Sequence, residues 1–396
     1  MAKIDWGRLR AAVGGHVAEG ELPGVIMAAS QGGDVRVETV GTALPGGVAL
    51  APDAVVRISS MTKALTGALA MALVEEGALG PGDRVDRWIP ELADRRVLRR
   101  VDGPPEDTVP ADRPVTVEDL LTMRMGFGFV TDSACPVLDL AAQAGLGIGP
   151  PDPANPLTPD AWIARFAKLP LMQQPGADWM YDLAYGVLGV VLARAAGRPL
   201  DELMQDRLLG PLGMEDTGFA APQHALERLI PCYTRDDEGR LVEFDAAAGA
   251  SRWAARPAFP DARGGLVSTV TDYLRFARML LAGGLADDGT RVLAEESVAA
   301  LTRDQLGPGQ PRSANARAFL GENGWGYGVE VITAQDSAQH TTEPRTLHYG
   351  WGGGLGTTWY SFPALDLAVV LVTQFFPPPG PVIDAFWSAL HEMIGA

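Results

Sequence analysis

The 396-residue sequence predicts an α/β fold of the α+β type: an antiparallel sheet built from both ends of the chain, flanked by helices, with a mostly helical region inserted between them. Three observations predict it. Near the start, residues 24–30 and 35–40 are strand-like and flank Gly32-Gly33, the pattern of a β-hairpin. Near the end, residues 326–333, 345–349, 357–362 and 367–375 read as strands with connections short enough for antiparallel pairing. Between the two sets, helical patches alternate with Pro- and Gly-rich loops.

In chain order, an amphipathic helix over 5–19 precedes the hairpin. Residues 60–76 form a helix rich in Ala, Leu and Met that Gly77 stops, and Gly80-Pro81-Gly82 marks the turn beyond it. Helices are expected over 117–123, 159–167, 182–196, 200–208, 270–281 and 294–304. Residues 145–159 are loop-like and long enough to act as a lid or binding loop. A helix over 382–394 closes the chain. The expected division is a discontinuous sheet domain, 1–80 with 320–396, and a mainly helical region, 81–319, that completes a cleft against it.

A net charge of −17 argues against nucleic acid and against an anionic membrane surface as partners. No apolar run is long enough to span a bilayer, and the opening residues lack the basic-then-apolar pattern of a secretory signal, so a cytoplasmic location is expected. Cys135 and Cys232 read as free thiols in the core, with a single disulfide as the alternative. His16, His224, His340, His348 and His391 show no paired spacing, so no metal and no cofactor are expected.

The chemistry is carried by Ser60-Met61-Thr62-Lys63. A serine hydroxyl needs a neighbouring base, and positions i and i+3 share one face of a helix. Lysine serves as that base when burial or nearby cations lower its pKa. The chain has three lysines, Lys3, Lys63 and Lys168, and otherwise uses Arg, which does not give up its proton. Taken alone, the four residues equally fit a serine N-cap followed by a snorkelling lysine. A second run, from Tyr181 to Gly189, enters a helix after Pro175-Gly176 and sets a tyrosine at its mouth, either a proton relay or a packing residue. The third, from Tyr349 to Thr357, is dense in glycine beside a strand, either a Gly-rich turn or a place where a ligand approaches exposed N–H groups.

Together these runs resemble the serine β-lactamase and penicillin-binding-protein superfamily on its class C side, and more closely the family VIII carboxylesterases. The resemblance spans almost the whole chain, with support from residues 21–25, 115–122, 211–217 and 264–269. It implies a β-lactamase-like fold and an esterase that works through an acyl-enzyme on Ser60. Lys63 and Tyr181 would share general-base and general-acid work, and the backbone N–H groups of Ser60 and Gly354 would hold the oxyanion.

Trp351 stands where β-lactamases carry a Lys or His for the substrate carboxylate. Leu183 stands where an Asn is usual, and Met123-Arg124-Met125 makes a neighbouring segment more apolar. These departures point to a small neutral or apolar ester as the partner molecule. Trp351, Gly352, Gly353, Met125, Phe127, Trp253 and Trp359 are the expected substrate-binding residues, with Met123 and Phe129 as further wall candidates. β-Lactamase or D-amino-acid peptidase activity, acyl transfer, and a catalytically silent binding protein are the alternatives. No G-x-S-x-G occurs, so a nucleophile elbow is not supported. Oligomeric state is not encoded in any feature of the sequence.

Overall fold

The chain begins with α1 (Trp6–Ala18), capped by Asp5, whose carboxylate accepts the Arg8 amide N–H. The computed structural model describes residues 4–130, 134–147, 149–307, 312–334 and 345–395. The hairpin follows as β1 (Gly24–Gln31) and β2 (Asp34–Gly41), and then a short strand, β3 (Val56–Arg57). α2 (Thr62–Glu75) is buried along almost its whole length.

Next come β4 (Arg96–Leu98) and β5 (Thr108–Pro110), paired with each other, then α3 (Val117–Leu121), α4 (Pro136–Gln143) and α5 (Pro159–Phe166). α6 (Ala184–Ala196) and α7 (Leu200–Met204) lead to a second small pair, β6 (Cys232–Arg235) and β7 (Leu241–Asp245). β8 (Val267–Ser268) pairs with β3 and runs into α8 (Val270–Leu281). α9 (Glu295–Thr302) and α10 (Ala314–Leu320) precede β9 (Gly324–Trp325), β10 (Glu330–Ala334), β11 (Arg345–Gly353), β12 (Thr357–Phe362), β13 (Leu367–Val372) and α11 (Gly380–Ile394).

Among the described residues, seven strands form one antiparallel sheet in the order β2-β1-β13-β12-β11-β10-β9. The two ends of the chain meet where β1 pairs with β13, Ile26 opposite Val372. Alternation along the strands fills two cores. Val25, Met27, Leu367, Val369 and Leu371 face α1 and α11, whereas Ile26, Ala28, Ala368, Val370 and Val372 face α8 and the helical region. A sheet covered on both faces reads as continuous apolar runs, which is why β1 and β13 lack polar alternation.

Several local expectations shift. The strand expected over 326–333 begins only at Glu330, as β10; residues 326–329 are the turn that folds it back on β9, with Gly328 at φ 97°. The helix expected from residue 182 begins at Ala184, and the one over 200–208 passes into a π-helical turn at Gln205–Leu209. α4 and α10 carried too short a periodic pattern to stand out among turn residues. Cys135 and Cys232 are free, buried thiols. His340 lies outside the described residues. No described helix is long and apolar enough to cross a membrane.

Candidate active site

Ser60 sits in a 3₁₀ turn, Ser59–Met61, between β3 and α2, rather than in the first turn of the α-helix. Ser59 takes φ 47°, a strained value for a residue with a Cβ, and the surroundings hold it there. The Ile58 amide donates to Leu266 O at 3.0 Å, Thr357 Oγ1 donates to Ile58 O at 3.0 Å, and Tyr273 OH donates to Met61 O at 3.0 Å. Beneath them the Arg57 guanidinium is fully buried. It pairs with Asp245 and also bonds Ile230 O, Ala246 O and Ser251 Oγ.

Lys63, one turn into the helix, is fully buried and directs Nζ to Ser60 Oγ at 2.9 Å and to Arg263 O at 2.7 Å. Asp182 Oδ1 lies 2.5 Å from the same nitrogen. Burial alone pushes Lys63 toward neutrality, but the Asp182 carboxylate and then Tyr181 outweigh it, and the ammonium is held above the ordinary lysine range. A carboxylate, rather than a cation, sits at contact distance from Lys63 Nζ. Arg263, also buried, grips Asp261 through Nε at 2.9 Å and Nη2 at 2.7 Å and ties Gly147 O through Nη1 at 2.8 Å. Its Nη1 is 3.6 Å from Asp182 Oδ2.

Tyr181 enters the cleft from the loop before α6, with its ring centroid 4.5 Å from Lys63 Nζ. Its hydroxyl oxygen accepts the Trp351 indole N–H at 2.9 Å. The glycines at the end of β11 abut the Ser59–Met61 turn. A Cβ at Gly353 would fall 2.6 Å from Ile58 O and 3.0 Å from Ser59 Cβ, so only glycine permits this approach. Gly352, Gly353 and Gly354 line the same cleft, of about 420 Å³, as Ser60, Tyr181 and Trp351. Phe129, Pro150, Pro151, Phe319 and Ile383 supply apolar wall.

Five expected wall residues, Met123, Met125, Phe127, Trp253 and Trp359, lie elsewhere, and Met123 is fully buried. Met125 and Phe127 are buried behind Tyr181, in a segment where the Phe129 amide donates to Tyr181 O and the Met180 amide to Met123 O. Trp253 is buried beneath Arg57 and donates to Gly265 O at 2.9 Å, bracing the segment that brings the Arg263 carbonyl to Lys63. Trp359 packs edge-on against Tyr273 and joins the sheet to α8. Large apolar side chains fill cores more often than clefts, and these five are fully or almost fully buried. Asp261, Arg263 and Phe319 had no motif to announce them, whereas Pro150 lies in the 145–159 loop expected to serve binding and Asp182 in the tyrosine run. Asp182 had one available signal, an acidic residue in an apolar run directly after the tyrosine. Among the described residues, no three His, Cys, Asp or Glu side chains converge to hold a metal ion.

The fold is that of EstCE1, whose solved structure is described as a hydrolase with promiscuous acyltransferase activity. The two align with a TM-score of 0.78 at 22% identity over 97% of this chain and 98% of that one. By sequence the chain is 31% identical over 354 residues to esterase EstB of Burkholderia gladioli, covering 86% of this chain and 82% of that protein. It is 37% identical over 340 residues to an uncharacterised protein of Mycobacterium tuberculosis, covering 84% and 80%. These define a β-lactamase-fold serine hydrolase with esterase and acyltransferase relatives. The chain matches the Beta-lactamase family over residues 9–392 and belongs to it.

Proposed function

We propose that this chain is a serine carboxylesterase for small, uncharged, largely apolar esters. The observation that carries the reading is the 2.9 Å contact between Lys63 Nζ and Ser60 Oγ in a cleft whose charges are already matched. Lys63 and Arg263 face Asp182 and Asp261, and Arg263 spends its donors on Asp261 and Gly147. Among the described residues lining the cleft, no cation is left over for a substrate carboxylate, which disfavours a β-lactam or a peptide C-terminus.

In this reading Ser60 Oγ attacks the ester carbonyl, with Lys63 and Tyr181 sharing the proton work. The N–H groups of Ser60 and Gly354 hold the oxyanion, the alcohol leaves, and water releases the acid. Purified protein should turn over short-chain p-nitrophenyl esters, and Ser60→Ala should abolish the activity. Wild-type rates in Ser60→Ala would sink the assignment, and nitrocefin turnover rivalling ester turnover would move it to the β-lactamases. Absence of Ser60 labelling by a phosphonate probe would favour a silent binding protein.

A second reading, acyl transfer to an alcohol, draws on the apolar wall of Phe129, Phe319 and Trp351, which favours an organic acceptor over water. Product analysis with added alcohols separates the two.

A further inference from the structure

We propose that the two sides of the cleft divide the ester between them. A shelf made by Phe129 and Phe319 takes the leaving alcohol and selects an aryl or arylmethyl group there, and the lobe at Thr358 and Ile383 takes a short acyl group. This rests on the ester-hydrolase reading of the same site and adds the substrate class to it.

The sheet keeps the two sides apart. The Ser59–Met61 turn packs on β11 and β12, with β13 to one side of them and β10 and β9 to the other. Toward β9 lies an aromatic cluster. Phe319 stacks on Tyr181 at 5.2 Å and on Phe129 at 6.4 Å, the planes of the two phenylalanines being 11° apart. Trp179 joins Phe319 to Trp325 of β9. Toward β13 lie Phe376, Pro378 and Ile383, in the segment that runs from β13 into α11, with Thr358 of β12 beside them.

The shelf is a built unit. Asn315 Nδ2, on α10 with Phe319, donates to Phe129 O at 2.6 Å, and the Phe129 amide donates to Tyr181 O. Both rings are half-buried and line the cleft. The neighbouring Trp351 indole N–H is spent on the Tyr181 hydroxyl, so the shelf recognises a group through ring contact, which favours a planar aromatic partner.

The reacting centre sets which half goes where. A carbonyl carbon bonded to Ser60 Oγ has three other substituents. Its oxygen points to the N–H groups of Ser60 and Gly354. The departing alkoxide must take a proton, so it lies toward Lys63 and Tyr181, whose Nζ and ring centroid are 4.5 Å apart. That is the shelf side. The acyl chain is left with the β13 side, where Phe376 and Ile383 limit its length.

Esters that vary one half at a time test this. Benzyl, cyclohexylmethyl and ethyl acetate vary the alcohol; ethyl phenylacetate and ethyl butyrate vary the acyl group. Wild-type kcat/KM should favour benzyl over ethyl acetate by about tenfold or more, and benzyl over cyclohexylmethyl acetate severalfold. Ethyl phenylacetate should gain nothing over ethyl acetate. Phe319→Leu should lower the benzyl-to-ethyl ratio by about tenfold, and Ile383→Ala should raise the butyrate-to-acetate ratio. A ratio within one protein cancels the general loss of activity that a purely structural role would give. A ring preference on the acyl side, no preference for benzyl, or a benzyl-to-ethyl ratio unmoved in Phe319→Leu overturns the proposal. If Phe319→Leu does not fold, Phe129→Leu and the wild-type panel decide in the same way. Turnover with the wrong ratios removes this proposal alone; no ester turnover together with an unlabelled Ser60 removes the esterase reading as well.

Discussion

Trp351 donates its indole N–H to the Tyr181 hydroxyl oxygen at 2.9 Å, across 170 residues of sequence. Trp351 thus spends its one donor on the tyrosine proposed to share the proton work. Trp351→Phe keeps an aromatic ring and removes the donor. The expected result is a roughly tenfold fall in kcat for p-nitrophenyl esters with a smaller change in KM, a size set by one buried hydrogen bond. Steady-state kinetics on both proteins checks it.

Gly353 is a second lever. A methyl group there would press on Thr357, on Ile58 O and on Ser59, so the glycine turn must back away from the nucleophile. Gly353→Ala should slow labelling of Ser60 by a phosphonate probe by about tenfold or more, since donors misplaced relative to the oxyanion lose most of their effect. Far-UV circular dichroism should stay native.

Arg57 tests the foundation beneath the serine. Arg57→Met strips Asp245 of a fully buried partner, though Arg252 Nε still reaches that carboxylate at 3.0 Å. Breaking a buried pair from one side costs about 3–5 kcal/mol. A clear fall in the urea midpoint is expected, read by intrinsic tryptophan fluorescence.

Acid sensitivity should come from the far side of the sheet. His348 stacks on Phe362 at 4.8 Å and approaches His391 at 5.8 Å. Burial, and then His391, push the His348 imidazole down from 6.5 to about 4, and burial lowers His391 as well. In that window the unfolded chain binds protons that the folded one refuses. Stability is therefore complete above about pH 6.5 and is lost as pH falls toward about 4. Thermal midpoints measured across that range should fall with pH, and His348→Phe should flatten the slope while leaving ester turnover near neutrality unchanged.

Local chemistry was legible where it was local. Ser60 and Lys63 share a face because they are three apart, and Gly352 to Gly354 declare a backbone that something approaches closely. The hairpin 24–41 and the strand 357–362 could be read from strand composition and turn residues, as could the last strand, which was expected to run to 375 but ends at Val372. What could not be read is what converges from a distance. Asp182 and Arg263 meet Lys63 from two separate loops, and no periodicity links them. Burial pushes Lys63 down and the Asp182 carboxylate pushes it up, and only the first of these could be read from the apolar helix around it. The aromatic residues show the converse limit: Trp351 and Trp359 are cross-strand partners in one ladder, yet only the former reaches the cleft, because α8 covers the latter. Composition cannot tell such neighbours apart.

The pairing of β1 with β13 has a temporal consequence. A chain leaving the ribosome N-terminus first carries Ser60, Lys63, Asp182 and Tyr181 well before Gly353, which must press against Ser59 for the nucleophile turn to be held. Contacts between such distant parts of a chain form late, because the loop between them must first be ordered. The turn that carries Ser60 is therefore without its Gly353 support during most of synthesis and gains it only when the last strands close the sheet.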